Sequence, residues 1–540
     1  MTVQSRVQSG VPAGGRFTAT LHAEGAVALD ADHADLRLGV TGPEVLRCGN
    51  CGQFTSRGFA HRCPAPELVA LTQTARQVLG ACELAGGRPL IVGGAVRDAL
   101  LARRSGRAIA PKDVDIEVYG ADVDALVAEL GSLGRVDEVS RSFGVLKVRI
   151  GREDFDVSFP RRDSKTGAGH RGFDVEVDHS LGEVAAFGRR DFTVNAMGWD
   201  PASGELIDPY AGSVDLAAGV LRHTTDAFAE DPLRVLRAVQ FAGRFDLALA
   251  PETTALCRKL APAFAELPTE RVWGEFAKIA TKATRPSRSL QVLHETGWES
   301  HFPELAAVRD VPQDPVWHPE GPVHVHLGLS ADAAADAATR AGLDVNERTV
   351  VVLAAMLHDL GKATHTELPD PAQAGGHGRA RITSHGHAEA GEAPVRSMLT
   401  RLGAPHHIID KVAPIVREHM AVASTRKDPS PAAVRRMIRR LSEPNGQGPG
   451  LESWAAVVAA DHAGRGPASG PSPAEPWLRV ARQLGENNTP RPGLLTGAHL
   501  IAAGMRPGPE FRPILAAAVT AQDDGQFDDE AGALAWLAAR

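Results

Sequence analysis

The pattern of apolar and polar positions changes along the chain and divides it into segments of different type. Between residues 80 and 225, short apolar runs alternate with turn residues, which predicts a small mixed α/β domain, here called the head. The next segments are predicted to be helical up to residue 465, where a stretch rich in Gly, Pro and Ser indicates a linker. The pattern therefore predicts five parts: an N-terminal extension (1–79), the head (80–225), a helical neck (226–316), a histidine-bearing helical segment (317–465), and a linker with a helical tail (466–540).

Two carboxylates lie two positions apart in the head. Asp113 and Asp115 fall in Lys-Asp-Val-Asp-Ile-Glu-Val, where a strand is predicted, so both side chains point to the same face. Like charges held so close repel each other unless a cation lies between them, and Mg²⁺ prefers oxygen ligands. The pair therefore predicts a Mg²⁺ site. A pair of solvated acids on an edge strand is the alternative, because Asp-x-Asp alone is a weak motif.

A glycine pair precedes these acids. The apolar strand from Leu90 to Val92 ends at Gly93 and Gly94, and a short helix with Arg97 follows. Glycines let backbone N–H groups approach a phosphate closely, and the N-terminus of a helix favours an anion. A phosphate cradle beside a metal-binding acid pair is the arrangement that nucleotidyl transfer needs.

Together these residues resemble the polymerase-beta-type nucleotidyltransferases, specifically the bacterial tRNA nucleotidyltransferases (CCA-adding enzymes) and their poly(A) polymerase relatives. The resemblance covers about residues 88–300, and its further blocks occur in the family's order: Arg189–Met197, Asp208–Gly212 with Asp215–Leu216, and Glu230–Arg237. It implies an α/β head of the polymerase-beta type with a small mixed sheet, followed by a mainly α-helical neck, a further helical domain and a tail.

The resemblance assigns catalytic roles to three carboxylates. It implies that Asp113 and Asp115 hold the metal and that Asp156 assists in activating the attacking 3′-hydroxyl. A salt bridge with the nearby Arg161 or Arg162 is the alternative for Asp156.

The resemblance also implies how the nucleotide is bound. Asp231 and Arg234 are expected to read the base, and they share a helix face because they are three positions apart. One position departs from the family pattern: relatives carry an arginine where this chain has Gln240, so either a neighbour such as Arg244 replaces it or triphosphate affinity is lower. The remaining implied nucleotide-binding residues include arginines suited to phosphate oxygens and are Gly93, Gly94, Arg97, Arg190, Asp191, Asn195 and Arg237.

A second candidate chemistry lies in residues 317–465, here called the HD segment. Leu357-His358-Asp359-Leu360-Gly361-Lys362 follows an apolar helix and resembles the HD metal-dependent phosphohydrolases. A lone His-Asp pair on a helix surface is the alternative, but further ligands occur in the family's order. The resemblance implies a site for a transition metal such as Ni²⁺, Co²⁺ or Mn²⁺, with one metal or two, held by His326, His358, Asp359, His387, His419 and Asp461.

The N-terminal extension contains a cysteine-rich cluster outside the family resemblance. Cys48 and Cys51 form a C-x₂-C knuckle, and His61 and Cys63 follow it closely. Four such ligands are enough for a closed tetrahedral site, so we predict a structural Zn²⁺. A redox pair, or four incidental residues in a tail, are the alternatives.

Composition adds a few limits. A chain of 540 residues is too long for one core, and its formal net charge of -8 gives no general attraction to RNA. No long apolar run predicts a membrane span, and the few cysteines suit a reducing cytoplasm. RNA contact would need local basic patches, for which a solvated helix face is the alternative; the candidates are Arg285, Arg288, Arg426, Lys427, Arg435, Arg436, Arg439 and Arg440.

These observations predict a cytoplasmic, Mg²⁺-dependent enzyme that adds or repairs the 3′-terminal CCA of tRNA with CTP and ATP. The HD segment is expected to act separately as a 2′,3′-cyclic phosphodiesterase or phosphatase. A poly(A) polymerase is the nearest alternative because it shares every head motif. An HD phosphohydrolase whose head binds nucleotides without polymerising them is the second alternative.

Overall fold

The structure is a computed structural model, and the residues that it describes are 45–47, 54–56, 67–104, 114–137, 144–165, 173–178, 180–369, 381–424, 428–442, 448–466, 470–485 and 488–540. Several residues singled out from the sequence lie outside these ranges, namely Asp113, the candidate zinc ligands Cys48, Cys51, His61 and Cys63, and the basic residues Arg426 and Lys427. The predicted zinc site therefore stays a prediction.

The chain divides into two compact units. The smaller unit consists of residues 1–68 and 200–205. Its described part contains the antiparallel strands β1 (Val45–Arg47) and β2 (Phe54–Ser56), with Leu46 opposite Thr55. The larger unit contains the head, the neck, the HD segment and the tail.

The head is built on a mixed sheet of seven strands in the order β11-β10-β3-β4-β7-β6-β5. Neighbouring strands are antiparallel except β4 and β7, which are parallel. The seven strands are β3 (Arg88–Val92), β4 (Val114–Tyr119), β5 (Arg135–Asp137), β6 (Val145–Ile150), β7 (Glu153–Ser158), β10 (Gly198–Trp199) and β11 (Leu206–Ile207). Two smaller pairs accompany it: antiparallel β8 (Arg161–Lys165) with β9 (Phe173–Val177), and parallel β12 (Val220–Leu221) with β13 (Ala248–Leu249).

Apolar strand residues form the core of the head. Leu90 and Val92 of β3 are buried with Phe187, which explains the apolar run seen in the sequence. On β4 the exposed Asp115 lies between the buried Val114 and Ile116, as the two-residue period of a strand requires. The head helices are α1 (Gln73–Leu84), α2 (Gly94–Arg104), α3 (Val123–Leu133), α4 (Glu183–Gly188) and α5 (Gly212–Ala218).

The neck is helical. Three of its helices begin at a proline, whose fixed φ and missing N–H suit the first helical position. Helix α6 packs against α8 and α9, so that residues of α8 come beside the end of the head. The neck helices are α6 (Leu233–Phe245), α7 (Pro251–Lys259), α8 (Thr269–Lys282), α9 (Pro286–Glu295) and α10 (Pro303–Val308).

The HD segment and tail are helical as well. Helix α11 packs against α12 and α17, and α12 packs against α15, which brings the ends of these helices together. The HD segment contains α11 (Val323–Ala341), α12 (Val345–Leu357), α13 (Lys362–His365), α14 (His387–Arg401), α15 (His406–Glu418), α16 (Pro431–Leu441) and α17 (Gly450–Gly464). The tail contains α18 (Glu475–Leu484), α19 (Gly497–Ala502), α20 (Phe511–Asp523) and α21 (Glu530–Ala538).

The architecture confirms the predicted fold class, a mixed α/β head followed by a mainly helical remainder. The boundaries assigned to the five parts remain predictions. The boundary between residues 79 and 80 falls inside helix α1. Among the described residues, no helix combines the length and the apolar character that a membrane crossing requires.

Candidate functional site

Two of the predicted catalytic carboxylates lie side by side. Asp115 on β4 and Asp156 on β7 are Cα partners in the parallel register, so their side chains share a face of the sheet. Both residues are exposed on that face. On the far side of Asp156, Lys147 of β6 continues the same row, and its Nζ lies 3.8 Å from Oδ1 of Asp156. The sheet register therefore brings the third predicted carboxylate next to the Asp-x-Asp motif.

Gly93 makes room for an arginine. Its φ is +71°, and a Cβ at this position would lie 2.8 Å from Nη1 of Arg190. The N–H of Gly93 donates to the carbonyl of Met197 at 2.9 Å, so this group is already engaged within the protein. Gly94 is the first residue of α2 and also lines the cleft described below. In this structure, the absence of a side chain at Gly93 leaves the space that the guanidinium of Arg190 occupies.

Arg190 is held by a carboxylate that the sequence analysis did not single out. Glu117 of β4 is completely buried, and its Oε2 accepts a hydrogen bond from Nη2 of Arg190 at 3.0 Å. Its Oε1 accepts another from the hydroxyl of Tyr119 at 2.6 Å. Asp115 and Glu117 are two positions apart and share a strand face, but Glu117 is buried whereas Asp115 is exposed. The buried acid thus fixes the guanidinium of Arg190, which lines the cleft described below.

Asp191 and Asn195 connect two further arginines. Oδ2 of Asp191 accepts from Nε and Nη2 of Arg237 at 2.8 and 2.5 Å, and its Oδ1 accepts from Nδ2 of Asn195 at 2.9 Å. The Oδ1 atom of Asn195 in turn accepts a hydrogen bond from Arg97. Burial alone would raise the pKa of Asp191, but Arg237 and Asn195 hold it below its usual value.

Arg97 lies under this network in an aromatic environment. Its guanidinium is 4.3 Å from the ring centroid of Phe245 and 5.2 Å from that of Phe241, and its Nε donates to Asp98 at 2.8 Å. Burial lowers the pKa of Arg97, and Asp98 opposes this effect. The predicted residues Arg97, Asn195 and Arg237 are thus part of one connected layer.

The two residues predicted to read the base, Asp231 and Arg234, already form hydrogen bonds within the protein. Oδ1 of Asp231 accepts from the N–H of Leu233 at 3.1 Å, while its Oδ2 accepts from Arg271 of α8 at 3.0 Å. Arg234 donates to two backbone carbonyls, that of Ala227 at 2.8 Å and that of Arg189 at 2.7 Å. These contacts fix the planes of both side chains.

Most of the predicted nucleotide-binding residues and Asp115 line one cleft of about 640 Å³, whereas Asp156 and Lys147 line a neighbouring groove on the same sheet. Basic side chains outnumber acidic ones around it, which suits a polyanionic ligand. Several contributors were not predicted from the sequence: Arg189, Leu233, Phe241, Arg271, Gly274, Glu275 and Lys278. Four of them come from α8, where positions 271, 274, 275 and 278 have the spacing of one helix face.

Gln240, where relatives carry an arginine, is buried and is not among the described residues that line the cleft. It belongs to α6 and is 2% exposed. Arg244, the suggested replacement, does not line the cleft either; its guanidinium lies 4.6 Å from the ring centroid of Phe245. The basic lining of the cleft is therefore supplied by other residues, including Lys278 of α8.

The six residues predicted to bind metal in the HD segment converge on one buried centre. Asp359 is at its middle: Nε2 of His387 lies 3.1 Å and Nε2 of His419 lies 3.6 Å from its Oδ1, and Nε2 of His358 lies 3.3 Å from its Oδ2. On the other side, Nε2 of His326 lies 3.0 Å from Oδ1 of Asp461. We call this group of six residues the HD centre.

The histidine rings of the HD centre are oriented through their Nδ1 atoms. Nδ1 of His358 contacts the carbonyl of Ala355 at 2.9 Å, and Nδ1 of His419 contacts that of Val416 at 2.7 Å. His387 makes the corresponding contact with Ser384. Donation from Nδ1–H leaves the Nε2 lone pair to face the centre, which is the tautomer that a metal-binding histidine needs.

The donor set of the HD centre fits a transition metal. Nε2 of His358 and both carboxylate oxygens of Asp359 are buried and have no partner with hydrogen-bond geometry among the described residues. Imidazole nitrogens mixed with carboxylate oxygens are suitable ligands for such ions. Burial would raise the pKa of Asp359, but Lys362 and His358 hold it well below its usual value, so the carboxylate is available as a ligand.

Most of the candidate RNA-binding arginines that the structure describes have acidic partners within the chain. This favours paired helix faces over a free basic surface at these positions. The pairs are Arg285 with Asp336, Arg288 with Asp246, Arg436 with Asp524, Arg439 with Asp523, and Arg440 with Glu418.

Exposed acids beside a glycine turn and an arginine-lined cleft define the class of the head, a nucleotidyltransferase, and the HD centre defines a second, HD-type domain. Family models agree with this division. Residues 90–222 match the poly A polymerase head domain, residues 246–308 match the “Probable RNA and SrmB-binding site of polymerase A”, and residues 326–447 match the HD domain.

Curated relatives identify the family. The chain is 40% identical over 339 residues to the multifunctional CCA protein of Xanthomonas campestris pv. campestris, which covers 62% of this chain and 75% of that protein. It is 37% identical over 333 residues to the multifunctional CCA protein of Neisseria meningitidis, covering 61% and 72%. The chain therefore belongs to the CCA-adding tRNA nucleotidyltransferases, in the multifunctional form with an HD domain. The resemblance inferred from the sequence is confirmed.

Solved structures show the same fold. The CCA-adding enzyme of Bacillus stearothermophilus, determined in complex with CTP, matches with a TM-score of 0.55 and 22% identity, covering 87% of this chain and 98% of that one. Another CCA-adding enzyme, determined with ATP, matches with a TM-score of 0.53 and 18% identity, covering 87% and 94%. An enzyme with such a head and an HD domain depends on divalent metal ions.

Proposed function

We propose that this protein adds or repairs the 3′-terminal CCA of tRNA using CTP and ATP, and that Asp115 and Asp113 hold Mg²⁺ while Asp156 assists. The observation that carries this proposal is the parallel register that brings Asp156 beside Asp115, which itself lines the arginine-rich cleft. Mg²⁺ held by these oxygens would supply charge stabilisation and favour deprotonation of the attacking 3′-hydroxyl.

The arginines of the cleft bind the triphosphate in this proposal. Arg190 is fixed by Glu117 and Arg237 by Asp191, so these guanidinium groups are positioned before the nucleotide arrives. Such preorganisation lowers the entropic cost of binding and of reaching the transition state. Lys278 of α8 adds a further cation on the neck side of the cleft.

Asp231 and Arg234 select the base without a nucleic-acid template. A carboxylate accepts from the exocyclic amine of cytosine or adenine, while a guanidinium donates to ring and carbonyl acceptors. Arg234 uses Nη1 and Nη2 for one backbone carbonyl each and has five N–H groups, so it retains donors for a base. Each oxygen of Asp231 accepts one hydrogen bond within the protein and a carboxylate oxygen can accept two, so Asp231 also retains acceptor capacity for a base.

The test uses a tRNA transcript that lacks its 3′ end. The protein is incubated with this RNA in Mg²⁺ with CTP alone, with ATP alone and with both, and the products are sequenced. We expect two cytidines with CTP alone and a completed CCA with both nucleotides. A long adenosine tract with ATP alone would instead identify a poly(A) polymerase, and the absence of any extension would reject the polymerising head.

We further propose that the HD centre is a transition-metal phosphohydrolase acting on 2′,3′-cyclic or 2′-phosphates. The convergence of five donor residues, together with His387 at 3.1 Å from Asp359, supports this second activity. Hydrolysis of a 2′,3′-cyclic nucleotide is measured with Ni²⁺, Co²⁺, Mn²⁺ and Mg²⁺ in turn. We expect activity with one or more of the first three ions and little with Mg²⁺, because Mg²⁺ prefers oxygen ligands. No hydrolysis with any ion would reject this proposal.

A further inference from the structure

One histidine of the HD centre differs from the others in what orients it. Three rings, those of His358, His387 and His419, have a backbone carbonyl beside Nδ1. His326 instead has a carboxylate there: Oε1 of Glu320 lies 2.7 Å from its Nδ1, an ion-pair contact without hydrogen-bond geometry. The contact is almost completely buried, with the His326 side chain 0% and the Glu320 side chain 5% exposed.

A second histidine contacts the same carboxylate oxygen. Nδ1 of His318 lies 2.8 Å from Oε1 of Glu320, and the rings of His318 and His326 meet edge to face with centroids 4.8 Å apart. These contacts connect His318 through Glu320 to His326, whose Nε2 faces Asp461 of the HD centre.

The loop that carries Glu320 is fastened to the HD centre at a second point. Nε2 of Gln313 donates to the carbonyl of Gly321 at 3.0 Å, and Oε1 of Gln313 accepts from Nζ of Lys362 at 2.7 Å. Lys362 also lies 2.7 Å from Oδ2 of Asp359. Because both ends of the Gln313 amide are engaged, the loop that carries Glu320 is tied to Lys362, which in turn contacts Asp359 of the HD centre.

We propose that Glu320, supported by His318, is a positioning residue that tunes His326 as a metal ligand. The negative charge of Glu320 beside Nδ1 favours the tautomer with its proton on Nδ1, so that Nε2, which faces Asp461, can bind a metal ion through its lone pair. A carboxylate in this place makes the imidazole a stronger donor than a carbonyl partner does. His326 is then the most strongly donating histidine of the HD centre. This inference rests on the proposed metal-binding function of that centre.

The experiment measures metal binding directly, on the full-length protein. Co²⁺ affinity and stoichiometry are determined by equilibrium dialysis in excess Mg²⁺, which occupies the oxygen ligands of the head, and the visible absorption of bound Co²⁺ is recorded at saturation. Every protein compared carries Cys48→Ser and Cys51→Ser, because the predicted cysteine-rich site of the N-terminal extension would also bind Co²⁺. The variant is Glu320→Gln, which keeps the shape of the side chain and removes its charge. The matched control is Glu299→Gln, because Glu299 is a largely buried carboxylate of the neck that lies 3.4 Å from Nδ1 of His294.

We expect Glu320→Gln to bind Co²⁺ about 10- to 100-fold more weakly with unchanged stoichiometry and a shifted absorption maximum. Glu299→Gln should bind as the unmodified protein does. If Glu320→Gln does not fold, His318→Gln decides, and we expect it to weaken binding in the same direction by a smaller factor.

Three results would overturn the inference in distinguishable ways. Unchanged affinity and spectrum in folded Glu320→Gln would show that the carboxylate does not tune His326. Loss of one bound Co²⁺ per chain in this variant would show that Glu320 is itself a ligand. If the unmodified protein binds no Co²⁺ in excess Mg²⁺, the proposed metal centre fails first and the inference fails with it.

Discussion

Asp115 and Asp156 are direct neighbours across the two parallel strands of the head sheet, although 41 positions separate them in the chain. This pairing is the only parallel one in the seven-stranded sheet among the described strands. It matters because a parallel register brings two exposed acids onto one face, where a metal ion can relieve their repulsion.

The first prediction concerns Asp115→Asn. Nucleotide incorporation into tRNA should fall about 1000-fold or more, which corresponds to about 4 kcal/mol of activation free energy. The fold should stay intact because the side chain is exposed. Single-turnover incorporation of labelled CTP measures the effect, and circular dichroism checks the fold.

Asp154→Asn is the matched control for this variant. Asp154 is an exposed acid of the same strand as Asp156 and pairs with Arg149 at 3.2 Å. We expect near-normal incorporation. Equal losses in Asp115→Asn and Asp154→Asn would mean that the acidic surface, and not a metal ligand, explains the result.

The second prediction concerns Gly93→Ala. The left-handed backbone alone should cost about 1–2 kcal/mol, and the new Cβ should displace Arg190 and raise the KM for the nucleotide. Gly86→Ala is the matched control, since Gly86 has a φ of +78° and nothing within 4 Å of an added Cβ. Urea denaturation and steady-state kinetics of both variants separate backbone strain from the loss of Arg190. A KM change of the same size in Gly86→Ala would contradict the role given to Arg190.

How much of the site could be read from the sequence depends on the range of the interactions. The two-residue period of β4 predicts that Asp115 faces outward, and the family order of motifs names all six residues of the HD centre. Both kinds of inference need only local pattern or resemblance. The engagement of the Gly93 N–H by Met197 could not be predicted, because it depends on the pairing of β3 with β10, about a hundred residues later in the chain.

The contribution of α8 to the cleft could not be predicted from the sequence for a similar reason. Arg271, Glu275 and Lys278 have the spacing of one helix face, but the sequence does not say what that face meets. Only the packing of α8 on α6 brings it to the cleft. Likewise, the arginine-rich sequence of α16 is typical of an RNA-binding surface, but two of its arginines pair with Asp523 and Asp524 in the structure.

The third prediction concerns base selection by Arg234→Lys. Lysine keeps the charge of the cleft but cannot bridge the carbonyls of Ala227 and Arg189 and donate to a base as well. Discrimination of CTP and ATP against GTP and UTP should fall about tenfold or more, as expected for one charged hydrogen bond of about 1.5–3 kcal/mol. Values of kcat/KM for the four nucleotides measure this, with Arg244→Lys as the control outside the cleft. An equal loss for all four would identify Arg234 as a phosphate contact.

The fourth prediction is a pH dependence of stability through Asp191. Its pKa is lowered in the folded protein, so the ionised carboxylate stabilises the fold at pH values above the ordinary aspartate pKa of about 4. This contribution is lost as the pH falls from there towards the folded pKa. The difference in free energy of unfolding between the unmodified protein and Asp191→Asn should therefore be largest above about pH 5 and shrink below pH 4. Urea denaturation at several pH values tests this, and a difference that grows on acidification would contradict it.

The last prediction concerns the independence of the two sites. His358→Ala removes one imidazole from the HD centre, where its Nε2 lies 3.3 Å from Asp359. Hydrolysis of a 2′,3′-cyclic nucleotide in Ni²⁺ or Co²⁺ should be lost, whereas CCA addition in Mg²⁺ should continue, because Asp115 and Asp156 lie on the head sheet and none of the HD residues lines the head cleft. His462→Ala is the control, since this neighbour of Asp461 on α17 is not part of the described cluster. If both activities fall together in folded His358→Ala protein, the HD centre serves the polymerising head and is not a separate catalyst.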